Sequence, residues 1–210
     1  MKILITAATK IESDIISNIS KNIYSTDDYE FICTGIGMVN TTYNLTKKIY
    51  FAQPDFILNV GICGSFNNSL SVGSVVSVKS ENFADFGIDD NGKFIQLNIF
   101  NDETEKKELI CKNAGIFNLP IVKAVTVNTA SGSEENINKL KNNFSPDIET
   151  MEGAAVFYVC LLNKIPFAEI RAVSNMVEPR NKSNWNIETA LKNLNLELPN
   201  IITKVLNCKI

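Results

Sequence analysis

The chain contains no histidine. That removes every serine–histidine or cysteine–histidine nucleophile, every histidine-ligated zinc and the commonest general base. If the protein does chemistry, carboxylates carry most of the proton work. Cysteine is present but unorganised: Cys33, Cys63, Cys111, Cys160 and Cys208 are scattered, odd in number and free of any CxxC spacing. This reads as reduced thiols in a cytoplasm, not as a disulfide framework. No metal and no cofactor are expected. No apolar run reaches membrane-spanning length, so no transmembrane helix is expected. The opening stretch MKILITAATKIESD turns polar at Lys10, Glu12 and Asp14, too soon for a secretory signal. A net charge of -3 leaves no basic stripe for a phosphate backbone. Neither nucleic acid nor a membrane is an expected partner. Arginine is scarce as well. Of 20 basic residues only Arg171 and Arg180 are arginine, and both flank Asn175. Where lysine serves everywhere else, an arginine points to a need for its planar fork.

What is present is apolar residue enough for a sizeable core, arranged as strands alternating with helices. Lys2–Ala8 and Phe56–Val60 are short, apolar and β-rich, as buried strands are. Tyr29–Thr34, Gly73–Asp85, Ile121–Val127 and Phe167–Ser174 read as further strands. Ile11, Ile15, Ile16, Ile19 and Ile23 follow helical spacing, and Val39–Gln53 reads as a helix stopped by Pro54. Ser131 and Glu134 fit a capping box for a helix reaching Phe144. A helix follows Met151, and helical stretches after Trp185 break near Pro199. The alternation implies a largely parallel sheet covered on both faces. The long alternating stretch over 73–99 adds an antiparallel or barrel-like portion. One α/β domain over residues 1–210 is expected. Ligands in such folds bind beyond the carboxyl ends of the strands. Here those ends are Ala8-Thr9-Lys10, Gly35-Ile36-Gly37, Gly61–Gly64, Asn128–Gly132 and Ser174-Asn175.

The stretch ETMEGAAVFYVC places Glu149 and Glu152 before an apolar helix. Acids in a first helical turn complement the helix dipole by roughly 0.3–1 kcal/mol each, which accounts for Glu149. Glu152 is followed by Gly153-Ala154-Ala155, small enough for the helix start to pack closely. A carboxylate in such a site needs a partner, and a sugar diol is a suitable one. Glu12, just past the first strand, fits a helix cap as well as a catalytic role. Gly61–Gly64 matches no phosphate-loop or dinucleotide pattern. Asn175 fits a loop hydrogen bond or a ligand contact, Arg171 a structural ion pair, and Arg180 a surface or ligand contact. Trp185, the single tryptophan, fits a core anchor or a pocket wall.

Together GIGMVN (35–40), NVGICGS (59–65), TMEGAA (150–155) and RAVSN (171–175) resemble the nucleoside phosphorylase and nucleosidase superfamily, in order and over nearly the whole chain. Within it, AVSNMVEPRNKSNWNIETAL (172–191) is most similar to the futalosine hydrolases, a menaquinone-pathway family. The methylthioadenosine/S-adenosylhomocysteine nucleosidases are the alternative. The resemblance implies a three-layer α/β/α fold with a central mixed sheet, a homodimer or higher oligomer, and hydrolysis of a purine nucleoside at its N-ribosidic bond. It implies that Glu12 activates water, Glu152 holds the ribose diol, Met151 packs on the sugar and Asn175 contacts the purine. Gly64 and Ser131 join the expected binding set, with Arg180 and Trp185 toward a 5′ arm.

Three departures refine this picture. The methylthioadenosine nucleosidases carry Asp where this chain has Asn175, and an amide donor suits a 6-oxopurine. VNTASGS (127–133) has no ring to stack on the purine, which leaves Phe83 or Phe86 for that part, across a subunit interface if need be. AATKIE (7–12) has Lys10 and no arginine, so water is a better nucleophile than phosphate. A nucleoside-binding protein without turnover is the other class of reading; the presence of both Glu12 and Glu152 weighs against it.

Overall fold

A computed structural model describes residues 1–12, 29–100 and 108–208. Its largest sheet is built from β1 (Ile3–Ala7), β2 (Tyr29–Cys33), β3 (Phe56–Ser65), β4 (Val75–Phe83), β7 (Leu109–Ile110), β8 (Ile121–Thr126), β9 (Ile148–Thr150) and β10 (Phe167–Met176). The order is β10-β4-β8-β9-β3-β1-β2, and β10 also pairs with β3. Five strands therefore close on themselves, while β1 and β2 extend the sheet from β3. Pairings β10–β4, β3–β9 and β4–β7 are antiparallel; the others are parallel. The sheet is mixed, and the barrel-like portion is present. It arises from closure of strands distant in sequence, not from the 73–99 stretch alone. Part of that stretch is a separate hairpin, β5 (Gly87–Asp90) with β6 (Lys93–Gln96). Its turn is Asn91-Gly92, both at positive φ, the requirement of a type I′ turn.

Helices cover both faces of the sheet. Side chains alternate across a strand, and the alternation is visible in β1 and β3. Leu4 and Ile57 point to one core, with Leu45 and Ile49 of α1 (Met38–Ala52) and Val156, Phe157 and Cys160 of α3 (Gly153–Asn163). Ile3, Ile5, Phe56 and Leu58 point to the other, under α4 (Ile187–Asn207). A smaller cluster, with Ile137 and Leu140, seats α2 (Glu134–Phe144). This is the expected three-layer arrangement. Because α1 and α3 on one face and α4 on the other bury both sides of β1 and β3, these strands read as apolar runs rather than alternating ones.

The boundaries differ from expectation in instructive places. The helix expected over Ile11–Ile23 lies, past Glu12, outside the described residues. β3 continues through Gly61-Ile62-Cys63-Gly64 because β10 pairs with it along that length. The cap of α2 is Ser133, whose hydroxyl accepts from Asn136 N at 3.3 Å, and not Ser131. Pro199 lies inside α4 and does not break it. Proline in a helix interior costs about 3 kcal/mol. Leu194, Leu198, Ile201, Ile202 and Val205 are all buried on the sheet on either side of it, at about 1.5–3 kcal/mol each. Packing outweighs the local penalty.

Candidate active site

The carboxyl ends of β1, β3 and β10 meet the turn before α3 around a cavity of about 350 Å³. That size suits a small molecule. Glu12, Gly64, Ser131, Met151, Glu152, Asn175, Arg180 and Trp185 all line it. Phe83 does not. It is buried in the core against Tyr158 and Phe86, ring centroids 6.3 Å from each. Phe83 is the last residue of β4 and is buried, as is Ala84 after it. Trp185 is the one aromatic among the described lining residues. Lys10 is exposed and lies outside the cavity lining.

Glu12 turns out to cap and to face the cavity at once. Thr9 and Glu12 form a reciprocal capping box. Glu12 N donates to Thr9 Oγ1 at 3.3 Å, and Thr9 N donates to Glu12 Oε2 at 2.9 Å. Thr9 Oγ1 lies 2.7 Å from the same carboxylate oxygen. The other oxygen, Oε1, accepts from Ile62 N at 3.2 Å. Strand β3 has no side chain at Gly61 for a spatial reason. A Cβ there would fall 2.3 Å from Arg171 Nη1 and 2.9 Å from Glu12 Oε1.

Glu152 occupies the N-cap position of α3, yet its side chain does not cap. The free N–H groups of the first turn go elsewhere: Gly153 N donates to Thr150 Oγ1 at 3.3 Å and Ala154 N to Thr126 Oγ1 at 2.8 Å. The threonines do the capping, which leaves the Glu152 carboxylate for the cavity. Its Oε1 accepts from Gly37 N at 2.9 Å, across the sheet ends. Burial raises the Glu152 pKa; Arg171 and the Gly37 N–H oppose the rise, and the charges of Glu12 and Glu169 add to it.

Glu149 is not in a helical first turn. It lies on β9, where its carboxylate accepts from Ser131 N at 2.9 Å and from Ser131 Oγ. Its role is to fix the 130s loop, and the dipole account of it falls away. The Ser131 hydroxyl proton is thereby committed to Glu149, so a ligand meets this oxygen as an acceptor. Asn175 follows a bulge in β10, where register slips between Val173 and Asn175. Bulges re-aim side chains beside functional sites. Asn175 Oδ1 accepts from Ser174 Oγ at 2.7 Å, and Nδ2 donates to Met176 O at 2.9 Å. The amide is thus oriented, with one N–H left to donate. Arg180 N is tied to Gly132 O at 3.1 Å, and the guanidinium carbon stands 5.7 Å from the Trp185 ring centroid.

Arg171 lies below all this, 1% exposed, its Nε 2.7 Å from Glu169 Oε1. The expected ion pair exists. Burial opposes the arginine charge, but Glu169 and then Glu152 and Glu12 outweigh it and hold the pKa above the ordinary value. Removing one partner of a buried pair costs about 3–5 kcal/mol. Sequence reading missed Thr9, Thr126, Thr150, Glu81 and Glu169. The T-x-x-E spacing of Thr9 and Glu12 was a usable signal for the first.

This fold and site define the class: residues 21–207 match the phosphorylase superfamily, and the chain belongs to that family. Among its relatives, a 5′-methylthioadenosine/S-adenosylhomocysteine nucleosidase of Buchnera aphidicola subsp. Schizaphis graminum is 30% identical over 69% of this chain. The chain spans 65% of that relative, just under two-thirds of its length. A futalosine hydrolase of Thermus thermophilus is 27% identical over 79% of this chain and 77% of its own. A methylthioadenosine/S-adenosylhomocysteine nucleosidase of Colwellia psychrerythraea, solved in complex with adenine, superposes with a TM-score of 0.78 at 21% identity, covering 97% of this chain and 95% of that one. It shares the fold.

Two outcomes follow from the geometry. Gly61→Ala should displace Arg171 or Glu12 and destabilise the protein by about 1–3 kcal/mol, the usual cost of overpacking, read by denaturant unfolding. The second concerns pH. The raised Glu152 pKa means the folded state binds its proton more tightly than the unfolded chain does. Its contribution to stability is full below the ordinary carboxylate range and is lost as pH rises through the raised value. Glu152→Gln lacks that loss. Its melting temperature relative to wild type should therefore climb with pH over that window; a constant offset would contradict the raised pKa.

Proposed function

We propose that the protein hydrolyses the N-ribosidic bond of a 6-oxopurine nucleoside, with futalosine as the substrate and hypoxanthine and dehypoxanthine futalosine as products. In this reading Glu12 takes a proton from water as the water oxygen closes on C1′. The C1′–N9 bond breaks, its electron pair leaving with the purine. Positive charge develops on the ribose, and the Glu152 carboxylate, holding the diol, stabilises it. Met151 packs on the sugar. Asn175 donates to the departing base.

Asn175 carries the choice of base. Oδ1 accepts from Ser174 and one Nδ2 proton goes to Met176 O, so the amide still has an N–H to donate, which an ionised carboxylate at this position would lack. A 6-oxopurine presents acceptors at O6 and N7 and matches a donor. Adenine presents a 6-amino group, which wants an acceptor. The second reading, a methylthioadenosine/S-adenosylhomocysteine nucleosidase, draws on relatives of that name at similar identity. Futalosine also carries a carboxyaryl arm at C5′. Arg180 beside Trp185 supplies a bidentate cation and an apolar ring for such an arm.

Incubation with futalosine, inosine and methylthioadenosine, followed by assay of free purine, separates the readings. Asn175→Asp should move the ratio of kcat/KM from hypoxanthine-bearing toward adenine-bearing nucleosides; an unchanged ratio would place base selection elsewhere. Arg180→Ala should lower futalosine kcat/KM by about ten- to a hundred-fold, since a charge-assisted hydrogen bond contributes roughly 1.5–3 kcal/mol. Inosine, without the arm, should lose little. Equal losses on both substrates would sink the arm assignment.

A further inference from the structure

Under the cavity floor lie two carboxyls that this mechanism does not use. Glu81 on β4 and Glu169 on β10 are both 0% exposed. Their oxygens converge on the start of α3: a Cβ at Gly153 would fall 2.0 Å from Glu81 Oε1 and 2.7 Å from Glu169 Oε1. The close packing that Gly153-Ala154-Ala155 permits is packing onto these acids.

Glu81 forms a ring with two hydroxyls. Thr126 Oγ1 is 3.0 Å from Glu81 Oε2, Thr150 Oγ1 is 3.0 Å from Glu81 Oε1, and the two hydroxyl oxygens are 2.8 Å apart. Three contacts need three protons, and two hydroxyls own two. The third belongs to the Glu81 carboxyl. Protonated Glu81 donates to Thr126, Thr126 donates to Thr150, and Thr150 donates back to Glu81. Each hydroxyl oxygen can still accept from the backbone of α3, as Ala154 N and Gly153 N require. Burial first, and the Glu169 charge second, push the Glu81 pKa well above the ordinary range, against the threonine hydrogen bonds and Arg171. Proton counting over the three contacts favours a neutral Glu81, and the raised pKa runs in the same direction.

We propose that Glu81 and Glu169 are positioning residues for the hydrolysis: Glu81, through its threonine ring, fixes the turn that presents Glu152, and Glu169 fixes Arg171 beneath Glu12 and Glu152. The inference rests on the hydrolase reading of the site. The charged groups facing the pair are Arg171, Glu12 and Glu152. The titratable thiols are Cys63 on β3, Cys111 after β7 and Cys160 on α3. Burial pushes Cys63 and Cys111 up to about 12 and Cys160 upward as well, so all three stay neutral in an assay near neutrality.

The test uses the full chain, futalosine and inosine, and a pH series. Glu169 raises the Glu152 pKa while Arg171 lowers it. Glu169→Gln removes one of the charges that raise that pKa, so the acid limb of kcat/KM should move to lower pH. The loosened guanidinium is drawn toward Glu12, and kcat should fall on the order of tenfold, part of the roughly 10²–10⁴ that a general base supplies, with KM changing less. An acid limb coincident with wild type, with only thermal stability lost, would reduce Glu169 to a structural ion pair. If that variant does not fold, Arg171→Lys breaks the same link while keeping the charge; kcat should drop, and a wild-type kcat overturns the proposal. Glu81→Leu should lower turnover, and Glu81→Gln, with a donor and an acceptor for the ring, should restore most of it. Wild type at neutral pH should show the infrared carbonyl band of a protonated carboxyl, lost in Glu81→Gln. Absence of that difference overturns the ring. A wild type that releases purine from no nucleoside overturns the hydrolase reading instead, and the infrared comparison still decides Glu81.

Discussion

One buried cation organises this molecule. Arg171 sits in a strand with apolar neighbours, and an unpaired charge there would cost several kcal/mol. Glu169, two residues earlier on the same face of β10, pairs with it directly. Glu12 and Glu152 approach it from β1 and from the turn before α3, and each strengthens its charge. The reverse also holds: Arg171 is the group that offsets the rise burial imposes on Glu152. The cavity's carboxylates thus depend on a cation that the cavity lining does not include. The two glycines follow from the same crowding. Gly61 makes room for Arg171 and Glu12, and Gly153 makes room for Glu81 and Glu169. Neither is at positive φ, so the demand is for space and not for conformational freedom.

The helix ends show how the chain frees carboxylates for other work. A glutamate at an N-cap ordinarily satisfies backbone N–H groups. At α3 two threonine hydroxyls from β8 and β9 do this instead, and Glu152 reaches across to Gly37. At Glu12 the carboxylate is shared: one oxygen closes the capping box, the other turns to Ile62 N beside Arg171. Each arrangement fixes a side chain through backbone donors distant in the chain or at a strand end: Gly37 N for Glu152, Thr9 N and Ile62 N for Glu12. Side chains held this way keep their geometry without relying on their own rotamer preferences.

Much of this was legible in the sequence, and the failures have causes. Buried strands and α1 announce themselves by apolar runs and by Pro54. The Glu12, Glu152 and Asn175 cluster was legible through the family resemblance; position near strand ends alone left Glu12 open to a cap and Asn175, which lies inside β10, open to a loop contact. Phe83 misled because an aromatic beside a loop looks the same whether it faces in or out; the pairing of β4 with β8 decides it. Pro199 misled because local propensity yields to five buried aliphatic residues in α4. Ser131 satisfied the capping pattern two residues early, and only Glu149, brought alongside by β9, shows where its hydroxyl goes. Glu81 and Glu169 were illegible as a pair. They lie 88 positions apart in the numbering, each in a strand, and only closure of the barrel brings their oxygens together at Gly153.

The same electrostatics bear on water against phosphate. A phosphate co-substrate carries between one and two negative charges near neutrality and needs cations that are free to meet it. The cavity lining offers it four glutamates, Glu12, Glu149, Glu152 and Glu178. Its nearest buried guanidinium is already engaged by Glu169, and Lys10 stands outside the lining. Arg180 is exposed at the edge with Trp185, where the proposed reading puts the single carboxylate of a long substrate. An uncharged nucleophile meets no such repulsion, and an anionic cavity favours a ribose that becomes positive as its bond to the purine breaks. The field that opposes phosphate is therefore the field that would assist hydrolysis, and within a phosphorylase superfamily it supports the proposed reading in which water is the nucleophile.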